Sequence, residues 1–128
     1  MSEKKKKVLV IDDEVLIREV VKATLVNSNF EAVTLESPKE AEAVIRKTKP
    51  DLILMDLYMP ELNGLEILKR LKKDPETAKI PVIIFSGSQE RADILGGQQI
   101  GVYEYVTKPI DNRVLVAKIR SVLNLQGK

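Results

Sequence analysis

Four short apolar runs in this 128-residue chain stop at residues that can do chemistry. Val8-Leu9-Val10-Ile11 stops at Asp12-Asp13-Glu14, Leu52-Ile53-Leu54-Met55 at Asp56, Val82-Ile83-Ile84-Phe85 at Ser86, and Val102-Tyr103-Glu104-Tyr105-Val106 at Thr107-Lys108-Pro109. Three carboxylates at neighbouring strand ends repel one another by roughly 4 kcal/mol per pair at about 4 Å and an effective dielectric of about 20. Cationic charge has to offset this. Lys108 supplies one fixed charge, and a hard divalent ion that takes oxygen ligands and keeps several waters, Mg²⁺ above all, supplies the rest. An acidic, metal-charged pocket with a lysine and a hydroxyl suits a phosphoryl group, bound as a metal-bridged dianion.

The elements that must position these groups follow from the same runs. With Ala32-Val33-Thr34-Leu35 there are five, and the segments between them carry helical periodicity. Strand and helix repeated five times predict a (βα)5 domain, a mostly parallel five-stranded sheet with helices on both faces. The first, third and fourth runs are uninterrupted, as expected of strands covered on both sides, whereas Thr34 and Glu104 suit the second and fifth to edges. The expected strand order is therefore 2-1-3-4-5, a doubly wound, flavodoxin-like arrangement that binds ligands at the carboxyl ends of strands 1 and 3. Ser37-Pro38-Lys39-Glu40 reads as a helix start with Ser37 as N-cap, and Asp111 as the cap of the last helix. The expected core stripes are Ile17, Val20, Val21 and Thr24 in the first helix, Leu65, Leu68 and Leu71 in the third, and Leu115, Ile119, Val122 and Leu123 in the last.

Composition narrows the chemistry further. The chain has no Cys and no His, which excludes a disulfide framework, a Cys/His zinc site, a thiol nucleophile, a Ser-His-Asp triad and a phosphohistidine of its own. With 44% hydrophobic residues one domain can bury an adequate core without a staple. No apolar stretch approaches the roughly 20 residues that span a bilayer, and the N-terminus does not read as a signal sequence, so no membrane insertion and a cytoplasmic location are expected. Lys4 to Lys7 reads as a solvated tail; four lysines in a chain of net charge +2 make no nucleic-acid footprint, and no direct nucleic-acid binding is expected.

Taken in order and at their spacing, Val-Leu-Val-Ile-Asp12-Asp13-Glu14, Asp56-Leu57-Tyr58-Met59-Pro60-Glu61-Leu62-Asn63-Gly64, Ser86-Gly87 and Tyr105-Val106-Thr107-Lys108-Pro109 resemble the receiver domain of two-component response regulators, the CheY-like superfamily. The resemblance covers nearly all of the chain, from about Lys6 to about Leu125. It implies a single receiver domain over 1–128, with residues 1–6 as a basic tail. Asp56 is then the phosphoacceptor. Asp13, Asp56 and the backbone carbonyl of Tyr58 bind Mg²⁺ (or Mn²⁺) directly, and Asp12 acts more in the outer sphere. Lys108 pairs with the phosphoryl oxygens, Ser86 bonds to the phosphoryl group, and Tyr105 is the aromatic switch. The implied partners are a sensor histidine kinase or histidine phosphotransfer protein and a downstream protein that docks on the face of the fourth helix, fifth strand and fifth helix. Such a domain modifies itself and is not a turnover enzyme.

Simpler readings exist for single residues: Asp12-Asp13 as ordinary helix-start acids, Ser86 as a cap, Lys108 as a solvated lysine, Tyr105 as edge-strand packing. Their joint placement at successive strand ends favours a site. The competing function is a pseudo-receiver, a phosphorylation-independent protein-interaction scaffold, against which the intact Asp12, Asp13, Asp56, Ser86 and Lys108 argue. A flavodoxin-like carrier fits poorly because a flavin phosphate would meet Asp12-Asp13-Glu14 where it needs amide donors. An aspartyl phosphatase is also a poor fit, because its acid pattern is missing after strand 1. Gly96-Gly97 predicts a short or frayed fourth helix over 89–101, each glycine costing about 1 kcal/mol against Ala.

Overall fold

The computed structural model describes residues 5–56, 64–86, 104–107 and 111–124, and of Pro38, Gly64, Leu65, Ser86, Glu104, Tyr105 and Thr107 the backbone alone. The elements run β1 (Lys7–Ile11), α1 (Val15–Asn27), β2 (Glu31–Leu35), a 3-10 turn (Pro38–Glu40), α2 (Ala41–Thr48), β3 (Leu52–Asp56), α3 (Gly64–Lys73), the single turn α4 (Pro75–Ala78), β4 (Val82–Ser86), β5 (Glu104–Thr107) and α5 (Asn112–Val122). All four strand pairings are parallel, and the sheet order is β2-β1-β3-β4-β5, as the apolarity of the runs predicts. Parallel neighbours cannot be joined by tight turns, so the connections must cross over a face of the sheet.

Strand alternation divides the core into two layers. Leu9, Ile11, Ile53, Met55, Val82 and Ile84 face α2 and α3, packing against Ala41, Ile45, Ile67, Leu68 and Leu71. Val8, Val10, Leu52, Leu54, Ile83, Phe85 and Val106 face the other way, against Val21 and Leu25 of α1 and Leu115 and Ile119 of α5. Every residue from Val8 to Ile11 and from Leu52 to Asp56 is buried, because β1 and β3 are covered on both faces. β2 is only partly buried, as befits an edge.

Several local expectations are corrected. The buried stripe of α1 is Val21 and Leu25, with Ile17 packed beside it; Val20 is exposed, since a four-residue step keeps 17, 21 and 25 on one side and turns 20 away. Ile67 joins Leu68 and Leu71 in the buried face of α3. The Ser37 hydroxyl accepts from the Lys39 N–H at 3.2 Å and so caps the 3-10 turn, while α2 begins at Ala41 without a side-chain cap. Lys7 is not tail but the first residue of β1: its N–H donates to Asp51 Oδ2 at 2.8 Å and its ammonium to the Thr48 carbonyl at 2.7 Å. Asp111 caps α5 as expected, accepting from the Arg113 and Val114 N–H groups at 3.0 and 3.4 Å.

Between α3 and β4 the chain is tied by polar contacts that the hydrophobic pattern does not announce. The buried Thr77 hydroxyl donates to the Leu71 carbonyl at 2.6 Å, and the Lys72 ammonium donates to the Ala78 and Ile80 carbonyls at 3.1 and 3.2 Å. Asp74 caps α4 and binds the Arg46 guanidinium, which also lies 3.5 Å from Glu76. These contacts lie away from the acidic strand ends. Among the described residues no helix is long and apolar enough to cross a membrane. The helix expected over 89–101 lies outside the described residues.

Candidate functional site

Parallel register brings Asp12 and Asp56 together across 44 residues of sequence. Ile11 is the partner of Met55, so the next residue on each strand is a carboxylate at the same level of the sheet. Adjacent strands lie about 4.8 Å apart, and both acids continue the face that carries Val8, Val10, Leu52 and Leu54. Asp12 is fully buried and Asp56 is 4% exposed, while Asp13, in the bend after β1, faces solvent. One carboxylate oxygen from each of Asp12, Asp13 and Asp56 lies within 4.8 Å of the others, a spacing at which a single cation can touch all three. All three donors are hard oxygens, the ligand type that Mg²⁺ and Mn²⁺ take and that soft thiophilic metals do not favour. The donor set therefore fits the ion expected from the sequence.

The turn that carries the acids is held firmly. Asp12 N–H donates to the Leu35 carbonyl at 3.1 Å, extending the β1–β2 ladder by one residue. Its Oδ1 accepts from the Glu14 N–H at 2.8 Å, so the aspartate satisfies a donor at the start of α1, whose N-cap Glu14 makes no side-chain cap of its own. The Asp12 carbonyl accepts from Arg18 Nη1 at 2.8 Å, and Arg18 Nη2 lies 3.8 Å from Glu36 Oε1. Arg18 and Glu36 do not stand out in the sequence. The available signal is a lone cation one turn into a helix that opens on three acids.

On the other side of Asp56, Phe85 is its register partner on β4, and Ser86 pairs in register with Thr107 of β5. The backbone of Ser86 thus ends the strand next to the one that carries Asp56, as expected. Tyr105 pairs with Ile84 on the edge strand. The side chains of Ser86 and Tyr105, and Tyr58 and Lys108 altogether, lie outside the described residues, as do their expected contacts.

Comparison with known proteins agrees with this architecture. The family model for the response regulator receiver domain matches residues 8–120. The chain is 38% identical over 122 residues to the phosphate regulon transcriptional regulatory protein PhoB of Pseudomonas aeruginosa, covering 95% of this chain and 53% of that protein. It is 35% identical over 117 residues to Protein PilH of the same organism, covering 91% and 97%. The solved structure of chemotaxis protein CheY4 of Vibrio cholerae superposes with a TM-score of 0.86 at 26% identity, over 93% of this chain and 99% of that one. The chain belongs to the response regulator receiver domain family, the signalling domain of two-component systems. It spans about half the length of PhoB and nearly all of PilH. In this family acidic residues bind Mg²⁺, and Asp12, Asp13 and Asp56 form an acidic cluster able to hold a metal ion.

Proposed function

We propose that this chain accepts a phosphoryl group on Asp56 from a histidine kinase or histidine phosphotransfer protein, in a reaction that depends on Mg²⁺ or Mn²⁺. The observation that carries the reading is the convergence of the nearly buried Asp56 carboxylate with those of Asp12 and Asp13 at the ends of two adjacent parallel strands. An Asp56 oxygen attacks the phosphorus, a P–O bond forms as the P–N bond to the donor's imidazole breaks, and the imidazole nitrogen keeps the electron pair and takes a proton from solvent. Asp13, Asp56 and the Tyr58 carbonyl are the assigned ligands of the ion, with Asp12 in its outer sphere. The bound ion supplies positive charge for the phosphoryl oxygens, so the work of the site is positioning and electrostatics.

Lys108 is assigned to the phosphoryl oxygens and Ser86 to the hydrogen bond that forms once the group is present. That assignment is supported by the register of Ser86 with Thr107, the residue before Lys108. Tyr105 is assigned as the switch residue, through which phosphorylation shifts a two-state equilibrium and alters the surface formed by the helix expected over 89–101, β5 and α5 for a downstream protein. The chain acts in this reading as one receiver domain of cytoplasmic signalling with residues 1–6 as a tail. It modifies itself and turns over no metabolite.

The test is intact mass after incubation with acetyl phosphate and Mg²⁺, and separately with a phosphorylated histidine phosphotransfer domain, beside an EDTA control and an Asp56→Ala variant. A metal-dependent gain of one phosphoryl group that the variant lacks is expected. An equal gain in the variant, or none in the wild type from either donor, overturns the assignment.

A further inference from the structure

We infer that Arg18 is a positioning residue of the acidic site: through the main chain of Asp12 it sets where the Asp12 and Asp13 carboxylates stand relative to Asp56. The inference rests on the cluster's being a cation site. Three hydrogen bonds bear on where Asp12 stands, and two of them belong to its own neighbourhood: the ladder bond to Leu35 and the side-chain bond from the Glu14 N–H. The third comes from a side chain on α1. Arg18 Nη1 donates to the Asp12 carbonyl at 2.8 Å, and the guanidinium's other end reaches Glu36 Oε1 at 3.8 Å.

That carbonyl matters because it shares a rigid peptide plane with the N–H of Asp13. Anchoring its oxygen fixes the plane from which Asp13 departs. Asp13 faces solvent, so packing does little to place its carboxylate. Asp12, by contrast, is fully buried at the end of a covered strand. The Arg18 side chain is itself only 16% exposed, and a planar fork that donates in two directions suits it to bridge a carbonyl and a carboxylate. A hydrogen bond of this kind to the support of a ligand orients the ligand without touching the ion.

Charge alone predicts the opposite sign. A cation beside a divalent-ion site repels the ion, so if Arg18 acted only through its charge, removing it would tighten metal binding. Positioning predicts weaker binding. Mn²⁺ affinity, measured by the electron paramagnetic resonance of the free ion, separates the two in wild type, Arg18→Ala, Arg18→Lys and Glu36→Gln, with urea midpoints taken in EDTA. We expect wild type to bind and Arg18→Ala to raise the dissociation constant by roughly tenfold. Arg18→Lys, which keeps the charge and one donor, should recover affinity. Glu36→Gln should stay within about twofold, because Glu36 is 80% exposed and such pairs are weak in water. A purely structural role would lower the urea midpoint of Arg18→Ala and leave the Mn²⁺ affinity of the folded protein unchanged. Binding by Arg18→Ala as tight as or tighter than wild type overturns the inference while leaving the cation site standing. A wild type that binds no Mn²⁺ overturns the cation site and this inference together.

Discussion

Replacing Asp56 by Asn should make the metal-free protein more stable, because the site holds like charges together for the sake of a cation. Asp12 and Asp56 are both buried, with carboxylate oxygens no more than 4.8 Å apart; at that separation and an effective dielectric of about 20 the repulsion is about 3.5 kcal/mol. Asp13 adds less, since it faces water. Asn is nearly isosteric, so packing is preserved and the change is mainly one of charge. Both aspartates have further interactions, and Asn changes those made at position 56. The net gain expected is about 1–2 kcal/mol. With a urea slope of about 2 kcal/mol per molar, the midpoint in EDTA and low salt should rise by about 0.5–1 M. Adding Mg²⁺ should raise the wild-type midpoint and move that of Asp56→Asn far less, by mass action on the folded state alone. Far-UV circular dichroism at matched ionic strength reads both arms. An Asp56→Asn protein that is no more stable than wild type in EDTA, yet responds equally to Mg²⁺, would refute the electrostatic account of the site.

Two further predictions test the frame around the site. Asp111→Ala, which removes the acceptor for the Arg113 and Val114 N–H groups at the start of α5, should cost about 1 kcal/mol and leave Mn²⁺ affinity unchanged; urea denaturation beside metal titration checks both. Burial lowers the Lys72 ammonium below its ordinary 10.5. Between the lowered value and 10.5 the unfolded chain therefore binds more protons than the folded one, and stability should rise with pH through that window, the burial cost being present in full below it. Lys72→Met should remove that rise, so urea midpoints of wild type minus variant should climb as pH approaches 10.5; a flat or falling difference would assign the slope to other groups.

What the sequence determined by itself is considerable, and the reason is that the strong signals are local. Runs as apolar as Val8–Ile11, Leu52–Met55 and Val82–Phe85 can only be strands covered on both faces, and Thr34 and Glu104 mark the runs that cannot be; the order of the sheet follows. Once the order is known, the acids that end the first and third runs must meet at adjacent strand ends, as Asp12 and Asp56 do. A two-direction cap such as Asp111 is likewise written in the residues that flank it. Other local readings needed the third dimension. Val20 is exposed and Leu25 buried because α1 offers more than one apolar stripe and packing against the sheet selects the one through 17, 21 and 25, and Lys7 becomes strand because Thr48 and Asp51 wait beside it. Only the tertiary structure decided how the site is held, through the Arg18 guanidinium on the Asp12 carbonyl, Glu36 beyond it, and the Leu35 carbonyl on the Asp12 N–H. Every residue carries a carbonyl, so a side chain that seeks one leaves no mark on the type of its partner; which carbonyl it finds is set by the packing of α1 and β2 around β1.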